Sequence, residues 1–189
     1  MTLPKELTEA LFIKPGVNIQ KSPEQMATLR TVVNLTKEDL RSRWNTAEGK
    51  AILAQWKGSA YSRATLDDLI GRYYDHTDLR GIPLSGADLS KANLRSIDFF
   101  SSDFRKANLS QTDLRDSWIS ESNIKGAQFN WAQMDDVLID NVEFDLDTSF
   151  LGVNLALVNF TLAALLKQQA LDQERINSLK KNSQDCRCS

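Results

Sequence analysis

A chain of 189 residues with a formal net charge of −2 and a pI near 5.5 has room for one domain with appendages, and it lacks the basic surplus of a general nucleic-acid-binding surface. No apolar run approaches the ~18 residues that span a bilayer, and Met1-Thr2-Leu3-Pro4-Lys5-Glu6 puts proline and acid where a secretory leader needs an apolar stretch. A cytoplasmic location without membrane contact is therefore expected, and Cys186 and Cys188, both beside the C-terminus, make no disulfide framework.

Residues 1–76 read as short helices. Leu7, Ala10 and Leu11 share one helical face. Ser22 followed by Pro23, Glu24 and Gln25 is a helix start, with a hydroxyl cap, proline at the first position and glutamine three residues on. Met26, Leu29, Val32 and Val33 would be that helix's inner face, with a short strand over residues 32–35 as the alternative. Thr36 with Asp39, Thr46 ahead of the run at 47–57, and Thr65 with Asp68 are further start signals. Gly58 is expected to close the run that holds Ile52, Leu53 and Trp56. With nine acids and eleven bases this region is near neutral. It is too short for a large core of its own and is expected to pack on the segment that begins at Thr77.

From Thr77 the chain is counted in fives. Leu79, Leu84, Leu89, Leu94, Phe99, Phe104, Leu109, Leu114, Ile119, Ile124, Phe129, Met134, Ile139 and Phe144 are all large and apolar. At 41% hydrophobic content, chance gives such a row on the order of once in several hundred thousand draws. Two residues before each centre stand Thr77, Ile82, Ala87, Ala92, Ile97, Ser102, Ala107, Thr112, Ser117, Ser122, Ala127, Ala132, Val137 and Val142, none of them charged. In extended chain, residues two apart share a face. Each unit therefore buries one bulky and one slim residue, and the remaining polar positions suit a corner. A chain that turns every five residues must stack its coils so that each buries the next.

The units Ala87-Asp88-Leu89-Ser90-Lys91, Ala92-Asn93-Leu94-Arg95-Ser96 and Ala107-Asn108-Leu109-Ser110-Gln111 resemble the A-(D/N)-L-x-x repeat of the pentapeptide-repeat family. The resemblance covers roughly residues 77–160, under half the chain. It implies a mainly β fold, a right-handed quadrilateral β-helix, with the central residue and the one two before it facing inward. The chain then divides into three parts: a helical N-terminal region (1–76) capping the first coil, the solenoid (77–160), and a capping helix with a flexible tail (161–189).

With four units per coil, residues twenty apart lie in register. Leu79, Phe99, Ile119 and Ile139 then line the first face, Phe104, Ile124 and Phe144 the second, Leu109 and Phe129 the third, Leu114 and Met134 the fourth. After Phe144 the pattern resumes one residue late at Phe150, Leu155 and Phe160, and a one-residue bulge at 145–147 accounts for the slip. Residues 162–181 read as a helix whose first turns cover the last coil, with Ile176 and Leu179 on its later turns.

Little here suits catalysis. The one histidine, His76, stands at the entry to the first coil and reads as a junction residue with a local hydrogen bond. Asp88, Asn93, Asp98, Asp103, Asn108 and Asp113 share the outward position of the repeat; their mixed acid and amide identity points to backbone hydrogen bonding rather than paired acid–base work. No phosphate loop, nucleophile elbow or metal-ligand cluster appears, so neither enzyme, cofactor nor metal is expected. Cys186 lies fourth from the end, the position of a prenylated cysteine, but Arg187 stands where an aliphatic residue is wanted.

Two surface features remain. The outward column of the first face reads Asp78, Asp98, Trp118, Leu138, and with Phe100 at the adjoining corner it makes an apolar patch; Trp131 is exposed on the third face. The second is acidic: Asp135, Asp136, Asp140, Glu143, Asp145 and Asp147, with no base among residues 135–147. The leading reading is a non-catalytic scaffold, in a bacterial cell, that holds another protein through Phe100, Trp118 and Leu138, as monomer or homodimer. The runner-up comes from the resemblance: a DNA mimic protecting a topoisomerase such as gyrase, for which residues 77–160 carry thirteen acids and seven bases. A secreted effector is the third.

Overall fold

All fourteen residues of the five-residue row, from Leu79 to Phe144, are buried. The computed structural model describes residues 11–19 and 35–160. The readings at Leu7 and Ala10, at residues 22–33 and 162–181, and at Cys186 and Cys188 lie outside them.

The slim row is buried too, apart from the half-buried Ala87 and Ala92. Its hydroxyls explain why serine and threonine are tolerated in a core. Ser117 Oγ donates to Leu94 O at 2.7 Å while accepting from Ile97 N–H, and Ser122 Oγ donates to Phe99 O at 2.8 Å while accepting from Ser102 N–H. Each hydroxyl ties one coil to its neighbour, so no buried polar group is left without a partner at these positions.

Among the described residues seven short strands form one sheet in chain order: β1 (Asn18–Ile19), β2 (Arg72–Tyr73), β3 (His76–Asp78), β4 (Ile97–Asp98), β5 (Trp118–Ser120), β6 (Leu138–Asp140) and β7 (Asn159–Phe160). β2 and β3 form an antiparallel hairpin, and all other pairs are parallel. From β3 to β6 the register is twenty: Asp78 opposite Asp98, Asp98 opposite Trp118, Trp118 opposite Leu138. Three further columns repeat that spacing through single bridges, Pro83–Asp103–Asn123–Glu143, Asp88–Asn108–Gln128 and Asn93–Asp113–Gln133. The molecule is thus mainly β, a solenoid of five-residue units in which each ladder partner is four units away.

The corners have a feature that composition alone did not specify. The residue closing each unit has positive φ, whether glycine (Gly81, Gly86, Gly126) or not (Lys91, Ser96, Ser101, Lys106, Gln111, Asp116, Glu121, Trp131, Asp136, Asn141). A left-handed conformation costs a non-glycine residue roughly 1–2 kcal/mol. The stacking offsets this: Lys91 N–H donates to Ser110 O, Ser96 N–H to Arg115 O, Ser101 N–H to Ser120 O and Lys106 N–H to Lys125 O. The outward Asp or Asn fixes the same corner, its Oδ1 accepting the N–H two residues on: Ser90 to Asp88, Arg95 to Asn93, Phe100 to Asp98, Arg105 to Asp103, Ser110 to Asn108, Arg115 to Asp113. The acids and amides of this position build turns.

The extra residue after Phe144 lies at a corner, not within a strand. Asn123 pairs with Glu143 at twenty, while Gln128 pairs with Ser149 and Leu138 with Asn159 at twenty-one. Asp145 absorbs the insertion. Its Oδ1 accepts from Gly126 N–H, the donor that a backbone carbonyl serves at the other corners, and also from Asp147 and Thr148 N–H.

The described part of the N-terminal region, expected to be short helices, is helical within residues 37–69 and contributes the strands β1 and β2 on either side. Helix α1 (Lys37–Ser42) starts in a capping box, with Thr36 Oγ1 accepting from Asp39 N–H and the Asp39 carboxylate accepting from Thr36 N–H. A 3-10 turn (Arg43–Asn45) leads into α2 (Ala47–Gly58), capped by Thr46 Oγ1 accepting from Gly49 N–H. α2 ends at Gly58, the expected closing residue, and the chain reverses at Ala60 and Tyr61, which take the positive φ. One expected boundary is corrected: α3 (Arg63–Leu69) follows Ser62, not Thr65, which lies within its first turn. Leu11, Phe12, Trp44, Ile52, Trp56, Leu66 and Ile70 join one continuous hydrophobic cluster with Leu79, Ile82 and the solenoid interior.

Helix α1 lies across the corner column Gly81, Ser101, Glu121. Lys37 Nζ meets Glu121 at 2.6 Å, Arg41 Nε donates to Ser101 O at 3.0 Å, and the backbone of Leu40 sits so close to Gly81 that a Cβ there would stand 2.3 Å from it. One helical turn rises ~5.4 Å and one coil ~4.8 Å, so residues four apart on the helix reach successive coils.

Candidate binding face

The first face carries the sequence-derived site, and the N-terminal segment changes its character. Asp78 and Asp98, expected on an outward column, are buried instead, because Arg43 and Arg80 lie over them. Arg43 forks onto Asp78, Nη1 to Oδ2 at 2.9 Å and Nη2 to Oδ1 at 3.0 Å, and also donates to Leu11 O and Arg80 O. Arg80 Nε donates to Asp78 Oδ1 at 2.7 Å, with its guanidinium 4.2 Å from the Tyr73 ring centre. Burial alone would raise the Asp78 carboxyl, yet the two guanidiniums hold it well below the usual carboxylate range.

Asp98 is served differently. Its Oδ1 accepts from Phe100 N–H at 2.9 Å, while Oδ2 has Arg80 Nε at 3.9 Å. Burial pushes Asp98 up to about 6 against the pull of Arg80. A carboxyl whose folded pKa exceeds its unfolded 3.8 binds a proton more tightly in the native state, so its contribution to stability falls as pH rises from about 4 through 6. Wild type minus Asp98→Asn should therefore gain about 2 kcal/mol of unfolding free energy between pH 7.5 and pH 4.5. Urea titrations of both chains at the two pH values measure it, and a flat difference contradicts the buried, half-satisfied carboxylate. Asp78 works in the opposite sense, and only below about pH 4.

Phe100, Trp118 and Leu138 are half-buried rather than fully exposed. Phe100 and Trp118 line a groove of about 320 Å3 with Leu35, Leu40, Tyr73, Arg80, Asp98 and Ser120. The structure brings Phe100 and Trp118 together, and Leu138 pairs with Trp118 one coil on. His76 stacks on Trp118 with ring centres 3.9 Å apart, its Nδ1 2.6 Å from Tyr74 O and its Nε2 2.8 Å from Asp116 O. It locks the junction between hairpin and coil, with its ring nitrogens on backbone carbonyls. Trp131 lies elsewhere, 61% exposed, with its ring against Gly152.

The acidic residues differ in their surroundings. Asp145 is committed to the inserted corner, Glu143 pairs with Lys125 at 2.9 Å, and Asp135 and Asp140 are half-buried while Asp136 and Asp147 are exposed. Among the described residues no cluster of three His, Cys, Asp or Glu side chains is disposed to hold a metal, and no helix is long and apolar enough to cross a membrane. Sequence reasoning missed Arg43, Arg80, Tyr73, Leu35 and Leu40. The one available signal was that an outward column beginning Asp78, Asp98 continues as Trp118, Leu138.

These features define a repeat solenoid with an aromatic groove where its helical segment meets one face. Residues 75–117 match the family model of pentapeptide repeats in eight copies, so this stretch of the chain carries pentapeptide repeats. Among solved structures it is similar to a pentapeptide repeat protein of the Arabidopsis thaliana thylakoid lumen, with 28% identity over 45% of this chain and 62% of that one at a TM-score of 0.36. It is also similar to pentapeptide repeat proteins of the cyanobacteria Cyanothece 51142 (22% identity, 39% and 63% covered, TM-score 0.33) and Nostoc Pcc 7120 (20%, 59% and 94%, TM-score 0.35). The match thus spans under two thirds of the thylakoid-lumen and Cyanothece proteins. The comparison with curated proteins finds no match.

Proposed function

We propose that this chain is a non-catalytic scaffold, a right-handed four-sided β-helix closed at its start by the helical N-terminal segment, that holds another protein on its first face. The four-sided form is supported by ladders at twenty residues with corners every five, and right-handedness by the general rule for parallel crossovers. The observation that carries the binding role is the aromatic groove: Phe100 and Trp118, with Leu138 beside them, form an apolar cleft beside the helical segment, apart from the singly exposed Trp131 and Leu151 elsewhere on the body.

Trp118→Asp with Leu138→Lys is expected to remove the partner recovered by crosslinking pull-down from the native cell while leaving the melting curve within a few degrees. Leu138→Lys alone keeps the His76–Trp118 stack and should weaken capture by itself. Undiminished capture by the double variant would contradict the assigned face.

A further inference from the structure

We propose that the groove between α1 and the first face receives one aromatic side chain with a polar donor, a Trp or Tyr of the partner protein, whose N–H or O–H bonds to Asp98. This deepens the scaffold reading and rests on it.

Size comes first. A groove of about 320 Å3 is at the low end of ligand pockets, with room for one large side chain rather than a dinucleotide or a helix. The walls are apolar: Leu35, Leu40, Tyr73, Phe100 and Trp118 offer the contacts that an aromatic ring uses.

The floor selects the polar end. Asp98 is more than nine-tenths buried and lines the groove. The Asp78 carboxylate accepts from both guanidiniums, whereas Asp98 accepts one N–H, that of Phe100, and has its ion-pair partner at 3.9 Å. A desolvated carboxylate with an oxygen so poorly served gains much from an incoming donor. Charge then decides what kind. Among the described residues Arg43 and Arg80 balance Asp78 and Asp98; a cation would face Arg80 and an anion Asp98. A neutral N–H or O–H on an apolar body meets neither penalty. Trp and Tyr are the side chains that combine the two, and they dominate interface energetics for that reason.

Indole and benzofuran, which share a shape but differ in the N–H donor, separate donor recognition from packing. Each is titrated into the full 15N-labelled chain at pH 7.5 while the Phe100 backbone amide and the Trp118 side-chain N–H are followed. Indole should move both signals with a Kd at least tenfold below that of benzofuran, and Asp98→Asn, which keeps an oxygen for Phe100 N–H, should abolish the preference. Equal binding of the two overturns the assignment. So does the absence of shifts with either, including where another part of the same chain already fills the groove. If Trp118→Asp with Leu138→Lys loses its partner while indole leaves these signals unmoved, the binding face stands and the donor-selective groove falls.

Discussion

Arg43→Leu should lower the unfolding free energy by about 3–5 kcal/mol, measured by urea titration with far-UV circular dichroism. The guanidinium is fully buried and donates to both oxygens of Asp78 and to the carbonyls of Leu11 and Arg80, so truncation takes this donor from the Leu11 carbonyl and leaves the buried Asp78 with one of its two guanidinium partners. Leucine fills part of the volume and none of the hydrogen bonds. Lysine should rescue little, because a point charge with a flexible stem cannot reproduce the planar fork. A double-mutant cycle with Asp78→Asn isolates the pair: the double variant should cost less than the two single changes summed, since neutralising Asp78 removes the charge that Arg43 was compensating. A loss under 1 kcal/mol for Arg43→Leu would mean that water reaches Asp78 and that the seam is open.

Phe104→Ala should cost a similar 3–5 kcal/mol by the same titration. The ring is fully buried, lies edge-on to Phe99 at 5.0 Å, and occupies the same inward row as Leu84 and Ile124. A solenoid coil has no second layer of side chains to collapse into the space, so the cavity stays. Leu151→Ala, at a side chain 64% exposed, is the control and should change stability by less than about 0.5 kcal/mol. A Phe104 effect no larger than the control would contradict the inward assignment of the five-residue row.

How much of this was readable beforehand depends on the range of the interaction. The inward rows were legible because the period is local: every one of the fourteen centres obeys it. The turn-building role of Asp88, Asn93 and their counterparts followed from residue type, and each does accept the N–H two residues ahead. The inserted residue after Phe144 was legible as a slip of phase, but not as a corner held by a carboxylate. What could not be read was the fate of Asp78 and Asp98. Asp78-x-Arg80 is the same local pattern as Asp103-x-Arg105 and Asp113-x-Arg115, and all three make the same acid-to-base pair two residues apart. Two of those pairs sit at the surface and one is buried, and the difference is Arg43, 35 residues away in a 3-10 turn with no periodic signal of its own. The groove shares that origin: Leu35 and Leu40 come from the same distant segment, so the patch foreseen on Phe100, Trp118 and Leu138 is a half-covered cleft.

The fold depends on coils that pile with a spacing of twenty residues. Methyl-labelled protein offers the most direct reading of it, through nuclear Overhauser effects among Leu94, Leu114 and Met134, which share the fourth column in the interior and should lie ~5 Å apart from coil to coil. The expected spectrum links Leu94 to Leu114 and Leu114 to Met134. Cross-peaks at any other spacing, with those two absent, would contradict the stack and the binding face built upon it.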